Sequence, residues 1–283
     1  MGTLFLVATP IGNLEDITLR ALRMLREATL IAAEDTRVTR KLLAHYEIDT
    51  PLVSYHEHNK LARLDRILAA LKAGDVALVS DAGTPGLNDP GYELVRAAIA
   101  RGVTVTPVPG PSAPVAALVV SGLPTDSFVY LGYVPRQKQK RRAFWAQLAP
   151  EPRTLIALEV PHRLRDSLED ARQALGDRQV AVTRELTKLH EEIFRGALSE
   201  ALAHFTAPRG EVTLVIAGAP PAEKRWSEAE VRLAVETAIG AGASPAQAAR
   251  EVAAASGWSR RRLYRLTLGD EPAGRRDRST GEG

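Results

Sequence analysis

Residues 75–91 decide the fold, and they read DVALVSDAGTPGLNDPG. The run from Asp75 to Ser80 is short and apolar at its centre, which is typical of a strand buried in the middle of a parallel sheet. Three glycines and two prolines follow, and together they impose a specific backbone path. A helical pattern then begins at Tyr92. A strand, a structured loop and a helix in this order indicate an α/β domain.

The sequence on both sides repeats this alternation and predicts a first domain at residues 1–123. Strand patterns lie at residues 3–9, 30–33, 52–55, 75–80 and 103–108. Helical patterns follow Asp16 as an N-cap, occupy residues 61–71 and 92–100, and begin again at Ser112. Ligands of mostly parallel sheets lie at the carboxyl ends of the strands, so the loops at residues 8–13, 81–88 and 109–113 are the predicted binding loops.

A second α/β domain is predicted at residues 124–221, with strands at 128–133, 154–159, 179–183, 192–195 and 211–217 and helices at 139–148, 164–175 and 199–205. Residues 222–268 form an alanine-rich helical segment whose spacing is typical either of a helix-turn-helix or of a small packed bundle. Residues 269–283 predict a disordered tail. The fold class is therefore α/β, with two consecutive domains of mostly parallel or mixed sheets and a small C-terminal helical segment.

The composition excludes several classes of protein. The 283 residues are 45% hydrophobic and 25% charged, which suits a globular protein with a sizeable core. The chain has no cysteine, which excludes disulfides, thiolate metal sites and cysteine nucleophiles. No signal-peptide pattern and no run long enough to span a membrane is present, so we expect a cytoplasmic protein without a membrane partner.

Two loops carry the strongest binding signals. In the loop after residue 80, Asp81 and Thr84 offer hydrogen bonds, and the glycines allow a ligand to approach the main chain closely. In the sequence Pro109-Gly110-Pro111-Ser112-Ala113, Ser112 lies at a helix N-terminus, where free N–H groups attract a carboxylate or a ribose oxygen. An elaborate turn and an ordinary N-capped helix are the alternative interpretations.

Glu34-Asp35-Thr36-Arg37 ends a strand with two acids and an arginine. One of these carboxylates could act as a base, or the acids and the arginine could form a surface pair. His56 and His58 lie two residues apart, but no other ligand cluster supports them, so we expect no metal site. The sequence contains no P-loop and no G-x-G-x-x-G after the first strand, which argues against nucleotide hydrolases and dinucleotide-binding layouts.

Taken together, the motifs closely resemble the ribosomal RNA small subunit methyltransferase I family of the tetrapyrrole methylase superfamily. The resemblance rests on ATPIGNL at residues 8–14, AEDTR at 33–37, SYHEHN at 54–59, the loop at 81–91, PGPSA at 109–113 and RELTKLHEE at 184–192. It implies S-adenosyl-L-methionine in a cleft between two α/β domains, a homodimer, and methylation of a cytidine ribose 2′-hydroxyl in 16S RNA. The cofactor contacts that we expect are Thr9, Pro10, Asp81, Gly83, Thr84, Leu87, Ser112, Ala113, Glu159, Leu186 and Gly218.

Catalysis and RNA binding leave several candidates open. The candidates for the base are Glu34, Asp35, Glu185, Lys188 and His190. Phosphate contacts are expected from basic residues in three places, since arginine matches phosphate oxygens and lysine supplies a point charge; a solvated face is the alternative. These residues are Arg37, Arg136, Lys138, Lys140, Arg141, Arg142, Arg260 and Arg261. Two other functions stay open: methylation of a tetrapyrrole or corrinoid, and a non-catalytic nucleic-acid-binding regulator that uses the helical segment.

Overall fold

The computed structural model describes residues 1–220 and 226–267. Its first sheet has five parallel strands in the order β3-β2-β4-β1-β5. The strands are β1 (Leu4–Val7), β2 (Leu30–Ala33), β3 (Leu52–Ser54), β4 (Val76–Val79) and β5 (Val105–Val108). The run from Asp75 to Ser80 thus contains the central strand, β4, and the carboxyl ends of all five strands lie at one edge of the sheet.

Helices cover both faces of the first sheet. They are α1 (Leu19–Glu27), α2 (Thr36–His45), α3 (Lys60–Ala73) and α4 (Tyr92–Ile99). Successive side chains of β4 point to opposite faces, as a strand requires. Ala77 and Val79 pack with α1 and α2, whereas Val76 and Leu78 pack with α3 and α4. Two hydrophobic cores therefore hold the sheet on both sides.

The second sheet is mixed and has the order β6-β7-β10-β8-β9, in which only β6 and β7 are parallel. Its strands are β6 (Phe128–Tyr133), β7 (Thr154–Glu159), β8 (Gln179–Arg184), β9 (Glu192–Ala197) and β10 (Val212–Ile216). One face packs against α6 (Lys138–Gln147), α7 (Leu164–Leu175) and α8 (Leu198–His204) around the buried Trp145.

The other face of the second sheet is covered by α5 (Ala113–Ser121), which leaves the first sheet directly after β5. Ala117 and Leu118 of α5 are buried against Ile156, Ala181 and Val215. The helix ends at Gly122, whose φ of 78° is the left-handed conformation that glycine adopts most readily. The N-terminus of α5 is thereby fixed between the two sheets.

The predicted fold class is confirmed, and two local predictions need correction. Asp16 does not cap α1: it ends a short 3₁₀ turn, Leu14–Asp16, and the hydroxyl of Thr18 accepts the N–H of Ala21 instead. The helix α2 was not predicted. Its signal was Asp35, whose carboxylate caps the helix by accepting the N–H of Arg37.

The chain divides into two compact units, Met1–Pro220 and Pro221–Gly283. The second contains α9 (Glu228–Gly240), α10 (Pro245–Ser256) and α11 (Arg260–Thr267) around a small core. Ser244 caps α10 as predicted, with Pro245 in its first turn. The boundaries at residues 123, 221 and 268 stay predictions, and the tail at 269–283 lies outside the described residues. Within the described residues, no helix is long and apolar enough to cross a membrane.

Candidate active site at the carboxyl edge of the first sheet

A cavity of about 320 Å³ lies where the predicted binding loops meet the second sheet. Its walls are the loop after β4, the start of α5, and parts of β6, β7 and β10, joined by Ile11 and Glu34. The parallel order of the first sheet brings these loops together, because every strand ends at the same edge. The volume lies in the range of small-molecule sites in proteins.

Backbone hydrogen bonds hold the loops of the first sheet in place. Thr9 and Gly83 exchange N–H···O bonds of 2.9 and 3.0 Å, and the hydroxyl of Thr9 donates to the carbonyl of Ser80 at 3.1 Å. The hydroxyl of Thr84 donates to the carbonyl of Pro111 at 3.3 Å, which joins the loops after β4 and β5. Hydrogen bonds within the protein therefore join the loops that form the cavity wall.

Asn88 and Gly132 join the loop after β4 to the second sheet. Asn88 has φ 65° and Gly132 has φ 67°, so both residues adopt the left-handed conformation. A Cβ at residue 132 would lie 2.5 Å from Asn88 Nδ2, which only glycine avoids. This close approach brings β6 against the loop, and Asn88 itself lines the cavity.

The charged side chains of the lining are carboxylates. Of the described residues that line the cavity, five are acidic and none is lysine or arginine. Burial raises the pKa of Glu34, and nearby Asp89 raises it further. Burial also raises the pKa values of Asp81 and Asp89. The cavity therefore favours a ligand that carries positive charge.

Tyr130 of β6 supplies an unused hydrogen-bonding group. Its hydroxyl is buried and has no hydrogen-bond partner among the described residues, although the residue lines the cavity. Burial raises the pKa of Tyr130 to about 12, so the group stays a neutral donor. An unpaired buried hydroxyl costs free energy, and a ligand atom that accepts a hydrogen bond from it would recover that cost.

Only one of the five candidate bases, Glu34, lines the cavity. Its carboxylate accepts the N–H of Asp81 at 3.4 Å. The neighbouring carboxylate of Asp35 turns away to cap α2, and hydrogen bonds from Arg37 hold the pKa of Asp35 well below its ordinary value. The two adjacent carboxylates thus serve different purposes.

The other three candidates lie on the loop after β8. Lys188 Nζ contacts Glu185 Oε1 at 3.0 Å and Glu211 Oε2 at 3.2 Å. Burial alone would lower the pKa of Lys188, but these partners raise it and keep the ammonium protonated. A hydrogen bond from the N–H of Glu211 lowers the pKa of Glu185, and His190 is exposed. The contacts among Lys188, Glu185 and Glu211 hold the loop in place. The hydroxyl of Thr187 also accepts the N–H of Asn13 at 3.1 Å.

The expected cofactor residues divide into two groups. Those that line the cavity are Asp81, Gly83, Thr84, Leu87, Ser112, Ala113 and Glu159. Glu159 is 2% exposed, and its carboxylate already accepts the N–H of Val160 at 2.8 Å and faces Arg163 at 3.1 Å. It therefore supports the wall more than it offers a free acceptor.

Four expected contacts lie elsewhere. Thr9 is buried in its bridge to Gly83, and both Thr9 and Pro10 line a neighbouring smaller cavity. Leu186 packs in the core beneath α5. Gly218 follows β10, which runs antiparallel to β7, so it lies at the opposite end of the sheet from the cavity and against the backbone of Pro152.

Sequence reasoning missed Asp89, Tyr130, Tyr133 and Glu211, all of which line the cavity. Asp89 lies in the loop after β4, but nothing in the sequence distinguishes it from the other turn-forming residues. The remaining three depend on the pairing of the second sheet, which the sequence did not specify. No group of three or more potential ligand side chains in the described residues could hold a metal ion.

Of the candidate RNA contacts, Arg141 needs correction. It is 3% exposed, and its Nε lies 2.8 Å from Asp170 in the core between α6 and α7. Arg142 is half exposed and also contacts Asp170. Arg136, Lys138 and Lys140 are exposed before or at the start of α6, as is Arg37 on α2. Arg260 and Arg261 are exposed on α11 of the second unit.

Comparison with known proteins places the chain in a family. Residues 3–202 match the model of the tetrapyrrole (corrin/porphyrin) methylases. Proteins named ribosomal RNA small subunit methyltransferase I are 49% identical in Halalkalibacterium halodurans, over 94% of this chain and 94% of that protein. The protein of that name in Bacillus subtilis is 43% identical, over 93% of each chain.

Solved structures share the fold at low identity. A uroporphyrin-III C-methyl transferase from Thermus thermophilus, complexed with S-adenyl homocysteine, covers 76% of this chain and 97% of its own, with a TM-score of 0.54 and 22% identity. A cobalt precorrin-4 methyltransferase matches with a TM-score of 0.57 and 17% identity, over 76% and 94%. The chain therefore belongs to the tetrapyrrole methylase family, among relatives named ribosomal RNA small subunit methyltransferase I.

Proposed function

We propose that this protein transfers a methyl group from S-adenosyl-L-methionine to the ribose 2′-hydroxyl of a cytidine in small-subunit ribosomal RNA. One observation carries the proposal: an acidic cavity, closed by both sheets, in a chain whose relatives at 43–49% identity are named for this RNA. The same relatives disfavour a tetrapyrrole substrate and a non-catalytic regulator.

The lining fits this methyl donor. S-adenosyl-L-methionine carries a sulfonium, an ammonium and a carboxylate, and when bound it supplies an electrophilic methyl group. Asp81 and Asp89 would favour its positive charges, while the N-terminus of α5 at Ser112 and Ala113 suits its carboxylate. Gly83, Thr84 and Leu87 would complete the wall. The buried hydroxyl of Tyr130 can donate a further hydrogen bond to S-adenosyl-L-methionine.

Glu34 is the residue that we assign to the proton. A ribose hydroxyl is a weak nucleophile and must lose its proton during transfer, so a carboxylate within hydrogen-bonding reach increases the rate. Glu34 combines a place in the cavity with a raised pKa, whose first cause is burial. A higher pKa makes the carboxylate a stronger base, provided that it is ionised at the working pH.

RNA would approach across surfaces outside the acidic cavity. Phosphates are repelled by carboxylates, so contacts are expected from the exposed Arg37, Arg136, Lys138 and Lys140 and from Arg260 and Arg261 of α11.

We further propose a homodimer that acts in the cytoplasm, where it would meet ribosomal subunits. Light scattering on the purified full chain tests the dimer.

The function is tested with the full chain, S-adenosyl-L-methionine labelled in its methyl group, and small ribosomal subunits from a strain that lacks this gene. We expect label in 16S RNA and, after digestion to nucleosides, in 2′-O-methylcytidine by mass spectrometry. Donor binding without label in RNA, or label in an added corrinoid precursor, would contradict the RNA assignment. An absence of donor binding in calorimetry would contradict methyl transfer altogether.

A further inference from the structure

A second cavity of about 190 Å³ adjoins the acidic one. It lies between the segment that follows β1 and the helix α2, at the same carboxyl edge of the first sheet. Pro10, Leu14, Val38 and Leu42 give it apolar walls, and Asp81 lines both cavities. A small apolar pocket therefore opens next to the charged one, with a single residue in common.

The mouth of this pocket exposes apolar surface. Leu14 is 38% exposed and Val38 is 41% exposed. Covering such apolar surface is favourable, so a ligand that covered these side chains would gain affinity. They belong to different elements, the 3₁₀ turn and α2, yet both face the same pocket. Lys41 is exposed and adds a cation to the lining, whereas the lining of the first cavity has none among the described residues.

The pocket is held open by groups outside it. The hydroxyl of Tyr46 donates to the carbonyl of Leu14 at 2.7 Å, and the side chain of Asn13 accepts the N–H of Glu15 at 3.1 Å. These bonds fix the 3₁₀ turn that carries one wall. Thr39 and Leu42, on the opposite wall, are buried in α2. A small pocket that exposes apolar side chains suits an apolar face of a ligand.

The position of the pocket relates it to the reaction. Asp81 borders the pocket, and the N–H of the same residue donates to Glu34, the proposed proton acceptor. In a nucleotide the base and the 2′-hydroxyl belong to the same ribose. The site for the base must therefore lie close to the proton acceptor, and Asp81 places this pocket next to Glu34.

We propose that the pocket lined by Pro10, Leu14, Val38, Leu42 and Asp81 holds the pyrimidine base of the nucleotide whose ribose is methylated. The inference rests on the proposed function. Enzymes that do chemistry on a base extrude it into a pocket where aromatic or apolar side chains cover its faces, and the same arrangement would expose the 2′-hydroxyl of that nucleotide. Asp81 can accept from the exocyclic amine of cytosine, and Lys41 can donate to a base carbonyl or to a phosphate.

The first test fills the pocket. Val38→Phe adds bulk at a half-exposed helical position, and Leu61→Phe is the matched control on α3, where the side chain is 72% exposed. With small subunits from the gene-deficient strain, we expect Val38→Phe to lower kcat/KM at least tenfold. Its Kd for S-adenosyl-L-methionine, measured by calorimetry, should stay within twofold of the wild type. Leu61→Phe should leave both unchanged.

The second test enlarges the pocket and does not depend on the first variant folding. Leu14→Ala should raise, at least fivefold, the rate on subunits reconstituted with a purine at the target position, relative to the natural pyrimidine. If Val38→Phe keeps kcat/KM within twofold, or Leu14→Ala leaves the purine-to-pyrimidine ratio unchanged, the base site is wrong while the proposed function stands. A wild type that methylates no subunit overturns both.

Discussion

The two sheets of Met1–Pro220 both hold carboxylates away from water, but they treat them in opposite ways. Beside the second sheet, Asp170 is buried and contacts Arg141 Nε and Arg142 Nε, each at 2.8 Å. Beside the first sheet, Glu34 and Asp89 line a cavity and form no ion pair with any described residue. The comparison separates an acid that holds helices together from acids that line the cavity without a cationic partner among the described residues.

The pKa directions show the same difference. Burial alone would raise the pKa of Asp170, but hydrogen bonds from Arg142 and Arg141 lower it below its ordinary value. Asp170 therefore contributes stability above its unfolded pKa, and this stability is lost as the pH falls through its folded pKa. Glu34 and Asp89, whose pKa values are raised, favour folding only at low pH, and that contribution is lost as the pH rises. At neutral pH these two acids cost stability, which is typical of a functional site.

The largest effect is expected from Glu34→Gln, which removes the proton acceptor and keeps the shape of the side chain. The rate of methyl transfer in a single turnover should fall about 100- to 10,000-fold, the range that general-base catalysis contributes. The Kd for the methyl donor should change by less than about threefold, since glutamine still accepts the N–H of Asp81.

The pH profile gives the control for this prediction. In the wild type, kcat/KM should rise with pH through a pKa above the ordinary 4.5 of glutamate, because only the ionised carboxylate accepts the proton. Glu34→Gln should lose this limb. Asp35→Asn should cost no more than about threefold, because asparagine also caps a helix. If kcat/KM of Glu34→Gln still rises with pH as in the wild type, the base is another residue.

The next largest effect concerns the paired acid. Asp170→Asn leaves the buried guanidinium of Arg141 with only the more distant Asp166, at 3.4 Å. Breaking one partner of a buried ion pair typically costs about 3–5 kcal/mol, so we expect a loss of about 3 kcal/mol in the free energy of unfolding. Urea denaturation measures it, and donor binding by the folded fraction should stay unchanged.

Glu169→Gln provides the matched control for Asp170→Asn on the same helix. The pair of Glu169 with Arg172 is 3.3 Å long and exposed. Water screens an exposed pair and weakens it, so the free energy of unfolding should stay close to that of the wild type. Equal losses in the two variants would show that burial does not distinguish these acids.

A smaller effect is expected for an acid of the first cavity. Asp89→Asn should raise the Kd for S-adenosyl-L-methionine about tenfold, since a charge pair about 8–12 Å apart near a protein surface is worth about 1–2 kcal/mol. S-adenosylhomocysteine lacks the sulfonium charge, so its Kd should rise less than about threefold. Calorimetry with both ligands measures the difference, and equal losses would mean that Asp89 acts on a group that both ligands share, such as the ammonium. The variant should also be more stable than the wild type at neutral pH, and this gain should disappear in acid.

The sequence predicted the first sheet and its part of the site well, for a physical reason. Parallel strands place all their following loops at one edge of the sheet. The order of strands and helices was therefore enough to predict that Asp81, Thr84 and Ser112 lie in one site. Glu34 was among the candidates, but the sequence could not separate it from Asp35. That separation depends on which carboxylate caps α2, a helix that was not predicted.

The second sheet was predictable in its elements but not in its contribution to the site. Antiparallel strands end at opposite edges, so the pairing of β10 with β7 decides that Glu211 faces the cavity and that Gly218 does not. The burial of Arg141 depends on α7, which lies more than twenty residues further along the chain. A local cluster of basic residues carries no information about such a partner.

The smallest effect concerns the basic residues at 136–142. Exposed basic groups and a buried, ion-paired one lie within these seven residues. Arg136 and Lys138 are exposed, whereas Arg141 is buried against Asp170. Arg136→Gln and Lys138→Gln should each weaken binding to small subunits about two- to fivefold and reduce the slope of log affinity against log salt by about one. Arg153→Gln, an exposed arginine paired with Glu151, is the control and should change neither quantity. A wild-type affinity that does not depend on salt would mean that the exposed residues of this run do not contact phosphates. Arg141→Gln should instead lower the free energy of unfolding and leave the salt slope of the folded protein unchanged, because its charge already has a partner in the core.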